Sequence, residues 1–301
     1  MADTKLAKTK RASAWGESRM ESNARAARLT AVLIVAAAIM AAAETRKEFH
    51  FPVGPRASVS ITNPFGPISV KPAPGTDVIV TAILHSDKVE IDQSQSGDRV
   101  DVLSHLLPGA DSHSGQVDYE VQIPSDANIT LHSGTGPLHA EKLQGDLNIE
   151  CSTAIVDVRD LNNAHVHVRT MDGAVTLTNV RDAHVDISSV NGPVSLVDVT
   201  GRYVQVNSTS GGIRYDGDFG TGGEYLLSSH SGDIDAVAPA YASIDVSARS
   251  IKGQVINDFP LQPKHTPFAI KVGSAFAGTM GKAASSVKLI SFSGKIHFRK
   301  R

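Results

Sequence analysis

The chain has 301 residues, 41% hydrophobic and 20% charged, with 25 glycines but only 5% aromatics; that mix excludes global disorder and points to many turns between thin aliphatic layers. A formal net charge of -2 excludes a uniformly basic nucleic-acid binder, and a lone cysteine, Cys151, excludes an internal disulfide and a multi-cysteine zinc site. The charge is unevenly spread: residues 44–258 hold 14 basic and 28 acidic side chains, while 259–301 hold eight Lys/Arg and no acid, so an acidic body carries a basic tail.

Residues 1–43 read as a signal peptide with a long basic leading region. Leu29–Ala43 is a run of 15 residues without a charge, preceded by Arg25 and Arg28 and ending in Ala41-Ala42-Ala43. A membrane-spanning helix needs about 20 apolar residues, so cleavage before Glu44 is expected, with an uncleaved anchor as the alternative. Met20 is a second candidate start. Membrane contact through this segment is then transient, and the protein is expected outside the cytoplasm: periplasmic, cell-surface or secreted. A lone cysteine suits export because it cannot mispair within its chain.

Residues 44–126 alternate irregularly. Phe51, Val59, Ile61, Ile68, Val70, Val78 and Val80 recur around Pro64, Gly66 and Gly75, and three further alternating runs follow. They read as hairpins and wider coils forming an N-terminal cap.

From residue 127 to 257 a repeat takes over. An aliphatic residue at i, glycine at i+5 and an aliphatic at i+7 recur as Leu131-Gly136-Leu138, Val168-Gly173-Val175, Ile187-Gly192-Val194, Val206-Gly211-Ile213 and Leu227-Gly232-Ile234. Ile149-Ala154-Val156 carries alanine instead, and Leu143, Leu161, Val180 and Val199 follow at i+12. Within each unit the period is two, as in strands. A unit of ~19 residues cannot bury its apolar face alone, so units must stack. The expected fold is all-β: a single-stranded β-solenoid (β-helix), right-handed because parallel crossovers nearly always are. Glycine is expected at the corner for positive φ and for close approach of neighbouring coils.

Residues 258–286 lack a sustained period and read as a loop excursion. Residues 287–301 resume it, with Leu289, Ile296 and Phe298 inward and Lys288, Lys295 and His297 outward. They are expected to pair with the coil of Val246 and Val255 as a basic capping coil.

The opening run Ser58-Val59-Ser60-Ile61-Thr62-Asn63-Pro64-Phe65-Gly66-Pro67-Ile68-Ser69-Val70 and the string of S/N/D-G-x-aliphatic corners, closing with Phe292-Ser293-Gly294-Lys295-Ile296, resemble a bacterial adhesin-like domain family of unknown function. The resemblance covers roughly residues 50–300. It implies an exported β-solenoid and carries no catalytic residue across.

No catalytic or cofactor-binding residues stand out, and no cofactor is expected. His165, His167, His184 and Asp186 form the sharpest constellation. Alternation and a one-unit offset put His184 beside His165 and Asp186 beside His167 on the outer face, a donor set that suits zinc; a solvated polar face explains it better. Asp157, Asp160, Asp198, Asp216, Asp218, Asp233 and Asp235 near strand ends raise a solenoid polysaccharide lyase or hydrolase, against which ordinary surface acids are weighed. Tyr203 is the best stacking residue for a sugar. Ser285-Ser286-Val287-Lys288 matches S-x-x-K without a K-T-G partner, and Gly281-Lys282 lacks the rest of a phosphate loop. The expected function is an exported, non-enzymatic envelope surface, adhesin-like or scaffolding, meeting an envelope polysaccharide or protein and no nucleic acid. Corner residues Ser133, Thr135, Ser152, Thr153, Asp172, Asn191, Ser208, Thr209, Ser210, Ser229 and Ser231 supply its polar ridge. An enzyme and a stress-sensing regulatory protein are the alternatives.

Overall fold

The computed structural model describes residues 44–263 and 274–301; the expected signal peptide and part of the expected excursion lie outside them. The alternating pattern folds into twenty-five strands and no helix among the described residues. They form two sheets, sheet I of 12 strands and sheet II of 13.

The opening strands are β1 (Thr45–Pro52), β2 (Ser58–Phe65), β3 (Ile68–Pro72), β4 (Asp77–Leu84), β5 (Val89–Ser96), β6 (Arg99–Leu106) and β7 (Val117–Ile123). Each later coil gives one strand to sheet II and the next to sheet I. The coils are β8 (Asn128–Thr135) with β9 (Leu138–Glu141), and β10 (Leu147–Cys151) with β11 (Val156–Arg159). Then come β12 (His165–Thr170) with β13 (Val175–Val180), and β14 (His184–Ser189) with β15 (Val194–Val199). β16 (Tyr203–Ser208) with β17 (Ile213–Asp216), and β18 (Glu224–Ser229) with β19 (Ile234–Ala238), complete the regular stack. Beyond it lie β20 (Ile244–Ser250), β21 (Val255–Asn257), β22 (Gln262–Pro263), β23 (Ser274–Met280), β24 (Ser285–Ser291) and β25 (Ile296–Lys300).

Stacking is parallel and in register, so like side chains lie over like. Val168 is opposite Ile187, which is opposite Val206; across the core run Val158, Leu177, Leu196, Tyr215 and Ala236. All eight are fully buried, as are the i+12 residues Leu143, Leu161, Val180 and Val199 at the far corner. The core is therefore a thin layer between two sheets whose outer faces are polar.

The first corner glycines, Gly66 and Gly136, take positive φ of 110 and 109°, whereas those of the later coils act through close approach alone. A Cβ on Gly192 would lie 2.0 Å from the Gly173 carbonyl oxygen, and one on Gly211 2.1 Å from that of Gly192; neither residue has positive φ. Left-handed backbone falls instead to Lys142, Asp160, Asn179 and Asp198, at φ of 58, 55, 54 and 50°. Each immediately precedes an i+12 aliphatic. Asparagine and aspartate tolerate that region through local hydrogen bonding, and Asn179 Nδ2 donates to Asp160 Oδ1 one coil away.

At both ends spatial order departs from chain order. The β2/β3 coil lies between β6/β7 and β8/β9. The last coil, β24/β25, lies between β18/β19 and β20/β21. Residues 287–301 thus do pair with the Val246/Val255 coil, but they are an inserted coil and not the cap. The expected 258–286 excursion is also corrected: it contains β23, which runs antiparallel along β20 and covers its edge. At the other end β1, β4 and β7 pair antiparallel in sheet I and β5–β6 forms a hairpin in sheet II.

Opposite charge secures the inserted coil on sheet I. Arg299 Nε donates to Asp235 Oδ1 at 2.6 Å and Arg301 Nη2 to Asp216 Oδ1 at 2.6 Å. Arg214 bridges the same two carboxylates, 2.7 Å to Asp235 and 2.8 Å to Asp216.

Candidate functional site

The outer face of sheet II is built from rows that run along the stack, one residue per coil. The first reads His165, His184, Tyr203, Glu224, with Asp146 just before β10 reaching His165. The second reads Asn148, His167, Asp186, Gln205, and the third Glu150, Arg169, Ser188, Asn207. Strand alternation sends the intervening valines and isoleucines inward, so every member of these rows meets solvent.

The His165/His167/His184/Asp186 quartet lies in the register expected of it. Its groups turn to neighbours instead of a common centre. His165 Nδ1 is 3.1 Å from Asp146 Oδ1, and His167 Nδ1 is 3.3 Å from Asp186 Oδ2. The His165 and His184 rings meet edge-on with centroids 5.6 Å apart, and His184 packs on Tyr203 at 5.0 Å. Tyr203 hydroxyl donates to Gln205 Oε1. Among the described residues no three His, Cys, Asp or Glu side chains are gathered as a metal site requires. Two acceptor oxygens flanking His167, Asn148 Oδ1 and Asp186 Oδ1, are buried and without a hydrogen-bond partner.

The carboxylates of sheet I are engaged by cations. One outward row of this sheet runs His139, Asp157, Thr176, Ser195, Arg214, Asp235. Burial pushes Asp157 upward, but the Arg159 hydrogen bond and charge, with His139, hold it below the usual carboxylate range. Asp216 is likewise lowered, burial being outweighed by Arg301 and Arg214. Asp218 accepts from the Gly220 amide and Asp233 from the Lys295 amide. A general acid needs the opposite shift, so this arrangement braces the fold.

The ridge needs one correction. Ser133, Ser208 and Ser229 face inward, in a buried row that runs Ser133, Cys151, Thr170, Ser189, Ser208, Ser229, Ser291, Ser250. Several of these bond the glycine three residues on: Ser189 Oγ donates to Gly192 O at 2.6 Å, Ser208 Oγ to Gly211 O at 2.8 Å, and Ser229 Oγ accepts from Gly232 N at 2.8 Å. The signal that finds them is Ser/Thr-x-x-Gly, a side-chain turn that satisfies backbone at a buried corner. Cys151 occupies one rung, its Sγ 3.8 Å from Ala154 O, and burial pushes its thiol up, away from nucleophilic use. Ser285 is also structural: its hydroxyl donates to Gly220 O and accepts from Gly223 N, while Lys288 is exposed on the opposite strand face. Gly281, at φ 62°, makes the turn into β24.

The outward corner residues remain a ridge. Asn191 donates to Asp172 and Ser210 to Asn191, each one coil apart. Because the buried row turns inward, a shallow open groove separates this ridge from the third row, lined by Arg169, Ser188 and Asn207 on one side and Val190 and Thr209 on the other.

No curated protein matches the chain. A solved structure named "putative cell adhesion protein", from Clostridium sporogenes, is similar over 85% of this chain and 100% of its own, at 13% identity and a TM-score of 0.33. The family model Toastrack DUF4097 matches residues 60–299, a span running from the inserted first coil through the inserted last one. The chain therefore belongs to the Toastrack DUF4097 family of domains of unknown function.

Proposed function

We propose that this protein is an exported, non-enzymatic component of the cell envelope, a right-handed β-solenoid of ~19-residue coils that offers its outer faces as an adhesin-like or scaffolding surface. The observation that carries this reading is the row architecture of sheet II. Histidine, tyrosine, asparagine, serine and aspartate repeat once per coil, about 4.8 Å apart, over an open face. Such a surface makes many weak, regularly spaced hydrogen bonds to an extended partner, an envelope polysaccharide or a protein strand. Export is supported by the uncharged run Leu29–Ala43, which follows Arg25 and Arg28 and ends in Ala41-Ala42-Ala43.

N-terminal sequencing of protein from the periplasmic or extracellular fraction is expected to read from Glu44; intact residues 20–43 in membranes would overturn export with cleavage. The chain from Glu44 onward, immobilised and challenged with envelope extract, should retain a polysaccharide or envelope protein without cutting it. New reducing ends or unsaturated sugars would overturn the non-enzymatic reading.

A further inference from the structure

The inserted last coil presents different chemistry on its two sheets. On sheet I its arginines are consumed by Asp198, Asp216 and Asp235. On sheet II the cations are exposed and unpaired among the described residues: Lys288 lies beside Leu226, and Arg249 beside Ile290. Ile290 is 44% exposed on this outer face. At the adjoining corner Phe292 stacks on His230 with centroids 4.8 Å apart, and Lys252 Nζ stands 4.7 Å from the Phe292 ring centroid. The acids on this face, Glu224 and Asp245, lie one row away on either side of Ser286.

We propose that this face docks on an anionic lipid surface, with Arg249, Lys252 and Lys288 toward the headgroups and Ile290 and Phe292 entering the interface. The proposal rests on the export reading, since it needs the folded chain beside a membrane leaflet. Cations around exposed apolar side chains are the combination an interface rewards: long basic side chains reach the phosphates while the apolar groups leave water. A soluble polyanion would use the charges and leave Ile290 idle. Charge also fixes which part docks. Residues 44–258 carry twice as many acids as bases, so an anionic surface repels the body while it attracts this end.

The test uses the chain from Glu44, the compact unit that contains all described strands, and vesicles of phosphatidylcholine with and without phosphatidylglycerol. Co-sedimentation is expected with phosphatidylglycerol present, absent without it, and weakening with salt. Lys252→Ala with Lys288→Ala should lower partitioning about 25-fold, roughly fivefold for each cation near the surface. Ile290→Ser should lower it several-fold at constant charge. Lys47→Ala with Lys88→Ala, exposed cations of β1 and of the β4–β5 connection, should leave it unchanged, and all variants should melt with the parent. Absence of binding, equal loss from the Lys47/Lys88 pair, or indifference to Ile290→Ser with equal capture by dextran sulfate would each overturn the proposal. N-terminal sequencing reads export separately, so failure here leaves that reading standing.

Discussion

The middle of the solenoid and its ends obey different rules. From β10 to β17 each coil pairs on both sides with its sequence neighbours, and the repeat alone dictates register. At the ends, β2/β3 and β24/β25 are each sandwiched between coils that are not both their sequence neighbours, and antiparallel strands close the stack. Stacking is thus a local property of the repeat, whereas termination demands long-range closure by segments that have left the period.

The sharpest way to break this comparison is deletion. Removing residues 285–301 takes out a coil paired on both sides and strips Val287, Leu289, Ile296 and Phe298 from the core. Aggregation and loss of a single cooperative melt are expected by light scattering and thermal unfolding. Removing β1, an exposed edge strand with one neighbour, should shift the melt and leave it cooperative. Equal outcomes would make the inserted coil an ordinary edge.

Within the middle, Ile187→Asp buries an unpaired carboxylate between Val168 and Val206, costing several kcal/mol. Asp186→Ala, one residue away and outward, should stay within about 0.5 kcal/mol. Urea unfolding of both reads the inward/outward assignment directly. The corner offers an equally local pair. Gly211→Ala meets a carbonyl oxygen at 2.1 Å, while a Cβ on Gly212 meets nothing closer than 3.6 Å. The first should cost about 1–3 kcal/mol by overpacking; the second should be neutral or gain up to about 1 kcal/mol by restricting the unfolded chain.

At the C-terminal end, Arg299→Ala should lower the melting temperature slightly, and less at high salt. The pH sign follows from Asp216, whose folded pKa is depressed because Arg301 and Arg214 outweigh burial. Its contribution is present above the ordinary carboxylate pKa and is lost as pH falls through the depressed value. An acid titration of Arg301→Ala should therefore lose part of that dependence. The smallest effect concerns zinc. Added zinc should leave the melting temperature of the Glu44 chain unchanged; a rise that His165→Ala with His184→Ala abolishes would make the quartet a metal site.

Much of the middle was readable beforehand. Period-two alternation placed Val166 and Val168 inward, and the unit offset put His184 beside His165. Three things escaped, each for a physical reason. Ser208 and Ser229 look like surface residues until the corner backbone they satisfy is known. Positive φ and close approach were both expected of the corner glycines, but not which position uses which: Gly136 takes φ 109°, while Gly192 and Gly211 answer only to the neighbouring coil's carbonyl. The place of β24/β25 escaped because its apolar pattern fits any coil interface equally well; what singles out its neighbours is a match between Arg299 and Arg301 and carboxylates more than sixty residues earlier. The candidate site was less legible, since alternation sets which residues face outward but not whether their polar groups converge.

The sandwiched last coil also sets a timetable. A chain that emerges N-terminus first, from the ribosome or through a membrane pore, can zip its middle coils one after another as they appear. The stretch 244–257 has no such option: its parallel partner is made of residues 285–298, which emerge only after it. Until then the growing stack exposes β18/β19 as a raw end, with the next coil in hand but unable to dock in its final place. Completion is therefore a single late event, and a stalled or truncated chain is marked by an open, strand-hungry end that a chaperone or protease can recognise.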